Sequence, residues 1–411
     1  MRIARLCTAA AYLPLFQEFF DENGLAALSY EEALDALRAN GYLYPGGFKP
    51  GLGRRGGEVV EFVPDFPALQ RLWAREHGRE ASEGTALVLA QLREVKPDVV
   101  YFQELAAMPP AARVRLREEV PGLRAVVAFK GFPAADCAEF GDLDLVFVGY
   151  PAFRAQWERT GVRAHVLSHC YDPLVTRATP TADVPALVFV GTSGYGNLSH
   201  SHRYHGLARL LEETQIEIWG LELPGANWKD RMRPHLTSGL RRLPESVLRP
   251  RAGDGGYVPR LFRAALDRRR GGEPRPWYAH QRPLAQRFPG RVHPPVYGRE
   301  YAALLAGAEI VVNLHTDQPG EAGNMRCFEV TGAGTCLLTD RADQMTHLFE
   351  PGVEIAPFET VEECVEQARR LLADERTRAG IASRGQARTQ RDHTIEHRCD
   401  EIQAVLQELL A

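Results

Sequence analysis

The stretch Glu321-Ala-Gly-Asn-Met-Arg-Cys-Phe-Glu329, continued through Val330-Thr-Gly-Ala-Gly334 into Thr335-Cys-Leu-Leu-Thr339-Asp340, decides how the rest of the chain is read. It opens with a carboxylate, a glycine and an amide, places a guanidinium at Arg326 and a second carboxylate at Glu329, then passes Gly332 and Gly334 into an apolar run. A helix leading through glycine into a short buried strand is half of a β-α-β unit. Open sheets built from such units bind ligands outside the carboxyl ends of their strands, so Glu321 and Glu329, which bracket the predicted helix start, fall on that rim. Gly323 and Asn324 would expose backbone N–H groups there, where partial positive charge favours a phosphate.

Outward from this unit, short β-branched runs alternate with helical periods along the whole chain. The first half carries predicted strands at Ile3–Cys7, Val59–Val63, Val99–Gln103, Arg124–Ala128, Leu143–Val148 and Ala164–Leu167, with helices at Glu31–Asn40, Pro67–Glu76, Thr85–Glu94, Ala111–Glu119 and Ala152–Thr160. The Gly/Pro-rich run from Tyr44 to Gly57 reads as a long flexible loop facing a cleft. Between Asp172 and Val184 the composition turns to Pro, Thr and Asp without periodicity, which marks a domain boundary. A second series follows at Ala186–Val190, Ile216–Trp219, Val292–Pro294, Ile310–Leu314, Thr335–Leu338 and Val353–Ile355, interrupted by an Arg/Gly/Pro-rich insertion at about 223–276 with a helix near Val258–Arg268. Helices at Val361–Ala373, Glu375–Arg388 and Thr394–Leu410 close the chain.

With 411 residues the chain has room for two domains, and 45% hydrophobic with 25% charged residues is an ordinary globular balance. A net charge of −4 argues against nonspecific nucleic-acid binding. Seven scattered cysteines without a Cys-x-x-Cys pair indicate neither a disulfide framework nor a zinc site, and fit a reducing cytoplasm. No apolar run is long enough to span a bilayer, and the N-terminal run is interrupted at Pro14 and followed by Glu18, Asp21 and Glu22, which reads as a first strand and its loop rather than a signal peptide.

Longer matches point to a family. The segment Asn324 to Gly332, then Leu337 to Asp340, Leu348-Phe349-Glu-Pro-Gly352, Glu354-Ile355 and His393-Thr394 with His397-Arg398, resembles the CgeB-like glycosyltransferases. Upstream, Val296 to Tyr301, Ile310 to His315, Val188 to Ser193, Lys96 to Val100 and His169 to Pro173 fit the same pattern. The resemblance is closest from about residue 290 onward. It implies an α/β chain of the GT-B type, with two Rossmann-like domains facing across a cleft, residues 1–178 and 179–390, and a C-terminal helix at 391–411 returning to the first domain. It also implies kinship with retaining enzymes that carry a Glu-x7-Glu pair, a nucleotide-sugar donor linked to UDP, GDP or dTDP, an acceptor hydroxyl on an unidentified glycan, small molecule or protein, and no metal cofactor. A sugar-nucleotide epimerase and an inactive nucleotide- or carbohydrate-binding protein are the alternatives.

Roles can then be assigned. An ionised Glu329 has two acceptor oxygens for the adjacent hydroxyls of a ribose. In the family picture Glu321 either touches hydroxyls of the donor sugar or sits near its anomeric carbon. Arg326 either pairs with a carboxylate to order the loop or reaches the diphosphate. Gly191, Thr192 and Ser193 form a loop after a strand, where glycine lets backbone approach a phosphate and hydroxyls add donors. Arg203, in the following helix, matches the family's basic position and would clamp the diphosphate. Tyr297 and Gly298 would cap the nucleobase; Asn313 and His315 point toward the rim. Arginine and helix-start N–H groups aimed at a leaving diphosphate would stabilise its developing charge without a metal. On the acceptor side the strand-end candidates are Tyr12, Gln103, Glu104 as a base and Lys130; His169 and Asp172 precede the linker and either sit in the cleft or fix the turn before Pro173. Asp142-Leu-Asp144 reads as strand-boundary polarity, and His200, His202 and His205 lack a carboxylate partner nearby in sequence.

Overall fold

The computed structural model describes residues 1–9, 13–79, 84–131, 140–173, 184–195, 201–220, 282–315, 323–342 and 344–411. The insertion, its helix near 258–268, Tyr12, Cys137, His200 and Glu321 lie outside the described residues. Six strands build the first sheet: β1 (Arg2–Leu6), β2 (Glu58–Phe62), β3 (Val99–Phe102), β4 (Ala125–Lys130), β5 (Leu145–Val148) and β6 (Arg163–Val166), in the order β2-β1-β3-β4-β5-β6. Every pair is parallel, with Ile3 opposite both Val59 and Val99. The chain winds outward from β1 to β2, then restarts at β3 on the other side. The strand order therefore reverses between β1 and β3, which is a doubly wound topology.

Helices α1 (Leu13–Glu22), α2 (Tyr30–Ala39), α3 (Phe48–Arg54), α4 (Pro67–Glu76), α5 (Thr85–Val95), the short α6 (Pro110–Arg113) and α7 (Leu116–Glu119), and α8 (Pro151–Glu158) fill the connections. The single helix expected over Ala111–Glu119 is thus two short ones. Strand residues alternate between faces with a period of two. Ala4, Leu6, Val100, Phe102, Val126, Ala128, Val146 and Val148 pack into one core with α1, α2, α4 and α5. Ile3, Val99, Tyr101, Ala125, Val127, Leu145 and Phe147 face a second core.

The second series supplies β7 (Leu187–Val190), α9 (Ser201–Glu213), β8 (Glu217–Trp219), α10 (Leu284–Arg287), β9 (Val292–His293), α11 (Gly298–Gly307), β10 (Ile310–Asn313), α12 (Met325–Ala333), β11 (Cys336–Asp340), α13 (Met345–Leu348), β12 (Ala356–Phe358), α14 (Val361–Ala373), α15 (Glu375–Asp392) and α16 (Ile395–Leu410). Its strands are ordered β12-β11-β10-β7-β8-β9. The strand expected at Val353–Ile355 begins instead at Ala356, because residues 352–354 form a turn in which the Gly352 N–H donates to the Ile355 carbonyl at 2.8 Å. By contacts the chain divides into residues 1–188 with 296–411, and residues 189–295.

The second core of the first sheet is closed by the end of the chain. Ile395, Cys399, Ile402, Val405 and Leu406 of α16 and Phe48 and Leu52 of α3 are buried in it. Burying each large apolar side chain contributes roughly 1.5–3 kcal/mol. Around this seam Arg55 pairs with Glu396 at 2.8 Å and with Asp400 at 2.6 Å, and Arg163 with Glu408 at 2.7 Å. Here the structure corrects the reading of Tyr44–Gly57 as a flexible loop. Residues 48–54 are helical, and the glycines serve close approach: a Cβ on Gly51 would lie 2.6 Å from Cys399 Sγ, and one on Gly47 2.7 Å from Ile395 Cγ2. The entry to α3 is pinned as well. Buried Arg5 donates to the carbonyls of Tyr44 at 2.8 Å and Pro45 at 3.1 Å, and Gly47 N–H donates to the buried Asp172 carboxylate at 2.7 Å.

Candidate functional site

The rim at the carboxyl ends of β10 and β11 is built from polar groups that nearly all bond one another. Asn313, the last residue of β10, lies opposite Thr339 of β11. Its Nδ2 donates to Thr339 Oγ1 at 3.0 Å, and its Oδ1 accepts from Asn324 Nδ2, also at 3.0 Å. Asn324 is the N-cap of α12, yet its side chain does not cap its own helix. The first-turn amides of α12 are thereby spared a capping partner from that residue, a condition that suits an anion at the helix start.

His315, two residues beyond β10, is buried. Its backbone N–H donates to both oxygens of Asp340, at 3.1 and 3.0 Å, and its Nδ1 lies 2.6 Å from Asp340 Oδ1. Burial opposes a charge on this imidazole and the Asp340 carboxylate more than offsets it, pushing the group up to about 10. A ring held that high would carry a second proton on Nε2, but the Gly323 N–H points at that nitrogen from 3.2 Å and demands a lone pair there, so the backbone geometry decides against the charged form. The geometry therefore belongs to the neutral ring with its proton on Nδ1, a tautomer assigned from the partners.

Glu329 sits one turn into α12, 3% exposed. Tyr301 Oη of α11 donates to its Oε2 at 2.5 Å and Arg326 Nη1 donates to the same oxygen at 3.1 Å. The Arg326 guanidinium lies 4.6 Å from the centroid of the Tyr301 ring, so tyrosine, arginine and glutamate form one stacked set. Burial raises the Glu329 carboxyl above its ordinary value and Arg326 opposes that rise. Of the two options for Arg326, the structure displays the pairing with Glu329. Both bonds fall on Oε2; Oε1 accepts none among the described residues.

Other nominated residues fall as follows. Tyr297 is the half-buried N-cap of α11. Gly298 has φ +57° and a Cβ there would lie 2.1 Å from the Asn40 carbonyl oxygen, so packing alone requires glycine. In the unit of residues 189–295, the Gly191 N–H is used by the Trp219 carbonyl at 2.9 Å, Ser193 is buried with its Oγ accepting from Tyr195 N–H at 3.3 Å, Thr192 is half-buried, and Arg203 is buried in the first turn of α9. On the first sheet, Gln103 accepts from Arg5 at 2.8 Å and Asp172 holds Gly47, so both serve the framework. Glu104 is exposed; neighbouring atoms push its carboxyl up, Lys130 opposes that, and surrounding water screens both effects. His169 lies 5.4 Å from the Phe129 ring, and burial beside Arg398 lowers it to about 4. Asp142 pairs with Arg113 at 2.8 Å, and Asp144 accepts from Val126 N–H at 2.7 Å.

Sequence reasoning gave no role to Tyr301 or Asp340. The available signal for Asp340 was a charged residue ending a buried parallel strand; Tyr301 carried none. A cavity of about 260 Å³ opens beside Asp340, lined by Thr339, Arg341, Met345, Pro351 and Ile355, and includes none of the groups nominated for the donor. Among the described residues no helix is long and apolar enough to cross a membrane.

Two parallel six-stranded sheets, with the last helix packed against the first of them, define the GT-B fold. The structure is similar over 99% of this chain and all of the other to HepE from Anabaena in complex with UDP-glucose, at 15% identity and a TM-score of 0.54. It is also similar to sucrose-phosphate synthase from Thermosynechococcus elongatus (12% identity, 100% of this chain and 99% of that one, TM-score 0.55) and to a glycosyltransferase from Rickettsia africae (9% identity, 100% and 98%, TM-score 0.52). Residues 203–404, just under half of the chain, match the family described as glycosyl transferase-like. No curated protein matches the chain.

Proposed function

We propose that the protein is a glycosyltransferase that moves a sugar from a nucleoside diphosphate donor to an acceptor hydroxyl, with retained anomeric configuration and without a metal. The observation that carries this reading is Glu329: a buried carboxylate oriented through one oxygen by Tyr301 and Arg326, with its second oxygen left to accept, one turn from an uncapped helix start. A ribose offers two adjacent hydroxyls to such a carboxylate, and the diphosphate next to it would lie against the amides that open α12. Arg326 then has two tasks, holding Glu329 and presenting positive charge toward the leaving diphosphate. Glu321, Arg203 and the loop Gly191 to Ser193 are further candidates for donor contact, by their chemistry and by the family resemblance. Glu104, beside Lys130 at the carboxyl end of β3, is the candidate base toward the acceptor. HepE holds UDP-glucose, so a UDP-linked sugar is the first donor to test.

Calorimetric titration with UDP, GDP and dTDP tests the reading. One of them binds the wild-type protein, and Glu329→Gln weakens that binding by about tenfold or more, because a hydrogen bond to a charged group is worth roughly 1.5–3 kcal/mol. Unchanged affinity in a variant with wild-type thermal stability refutes the assignment. Product analysis separates transfer from isomerisation: release of nucleoside diphosphate only in the presence of an acceptor supports transfer, whereas an isomeric sugar nucleotide overturns it.

A further inference from the structure

We infer that His315 is a positioning residue, acting on the donor through the Gly323 amide rather than by touching the donor itself. The inference rests on the donor reading above and adds the device that sets the direction of the helix start.

Both ring nitrogens are committed inside the protein. Nδ1 is 2.6 Å from Asp340 Oδ1 and Nε2 accepts the Gly323 N–H at 3.2 Å, with Cys327 Sγ 3.7 Å from the same nitrogen. Asp340 grips the residue a second time through its backbone N–H. A ring held by a carboxylate on one side and a backbone amide on the other, and 4% exposed, has the geometry of a strut. Asp340 fixes the ring, and the ring fixes Gly323.

Gly323 is where a strut is needed. Its φ is +89°, and a Cβ there would lie 2.4 Å from Leu348 Cδ1, so the turn into α12 is tight and closed to other residues. Gly323 is buried, so its N–H without a partner would be stripped of water and left unsatisfied. The next residue, Asn324, turns its side-chain nitrogen to Asn313 and takes the Cys327 thiol on its oxygen at 3.6 Å, capping none of the helix amides. The orientation of the first-turn amides of α12 is therefore set by two anchors outside the helix, Asn313 and His315. Neither needs to touch a ligand to exert this control. The nomination of His315 as a direct donor contact gives way to an indirect role.

Two substitutions split the strut. In His315→Gln the side-chain Oε1 takes the place of Nε2 and accepts from Gly323, while the bond to Asp340 is lost. In His315→Asn the amide nitrogen takes the place of Nδ1 and keeps Asp340, while Gly323 loses its acceptor. Titration with UDP, GDP and dTDP finds His315→Asn weakened about tenfold and His315→Gln within about threefold of wild type. Amide exchange at Gly323, followed by mass spectrometry without ligand, is about tenfold faster in His315→Asn and close to wild type in His315→Gln. Equal losses in the two variants, or no loss in either, overturn the inference, as does a loss confined to His315→Gln. If wild type binds no nucleoside diphosphate the donor reading falls and the positioning role with it; the exchange data then still report whether the anchor exists.

Discussion

Replacing Gly51 with alanine destabilises this protein, and the same replacement stabilises it once Cys399 has been cut back to alanine. In the native structure the new methyl would sit 2.6 Å from Cys399 Sγ and 3.4 Å from Cys399 Cβ. The first distance is far inside contact and the second is tolerable. Cys399 is fully buried on α16, so its sulfur cannot swing into solvent and α3 must move away from α16. Overpacking of this kind costs about 1–3 kcal/mol, against which alanine in a helix interior gains about 1 kcal/mol over glycine. Gly51→Ala alone is therefore less stable than wild type by up to about 2 kcal/mol. Cys399→Ala removes the sulfur and leaves a small void. In that background the methyl introduced by Gly51→Ala fills the void and keeps its helical gain, so the double variant is more stable than Cys399→Ala by about 1 kcal/mol. Urea unfolding of the four proteins measures the cycle, with a coupling of about 1–3 kcal/mol expected, since contacting residues depart from additivity. Additive effects would show that α16 does not lie against α3 at this distance, and would remove the basis for placing the chain terminus on the first sheet.

Two further outcomes follow from buried charge. Glu61 is fully buried between Arg5, whose Nη1 is 2.7 Å from Oε1, and Arg38, whose Nη2 is 2.5 Å from Oε2, so Glu61→Gln leaves two guanidinium groups under-compensated and lowers stability by about 3–5 kcal/mol; an unshifted melting temperature would refute that. Burial pushes His393 down to about 4, the Leu348 carbonyl opposing and Arg398 adding to the shift. A histidine lowered from its ordinary 6.5 gives stability that is complete above about pH 6.5 and is lost as pH falls toward 4, on the order of 3 kcal/mol. His393→Gln flattens that acid limb in urea titrations at stepped pH. His169, lowered to the same value, retains its share of the slope.

The local pattern carried the strand-and-helix alternation, because a buried parallel strand reads as a short apolar run whatever its neighbours are. Eleven of the twelve strand positions overlap those expected, and the miss, at Val353–Ile355, is displaced by a turn closed by one backbone bond. The pairing of Arg326 with Glu329 was also accessible, being an i, i+3 contact on one helix. What the sequence could not carry were contacts between residues distant along the chain. Tyr301 on Glu329 spans 28 residues, Asp340 on His315 spans 25, and Arg398 reaches the Ser168 carbonyl across 230. Each leaves no periodic trace in either partner's neighbourhood. Glycine was the most misleading residue for a physical reason: absence of a Cβ serves backbone freedom and close approach alike. At Gly323 and Gly298 both uses apply, while at Gly47 and Gly51 only the second does, which is why a segment that reads as a loop is a helix clamped beneath the C-terminus. The sequence by itself determined the alternating strands and helices and the carboxylate at the rim; tertiary structure decided which partners aim that carboxylate and which helix covers the first sheet, because both depend on surfaces that meet only after the chain has folded.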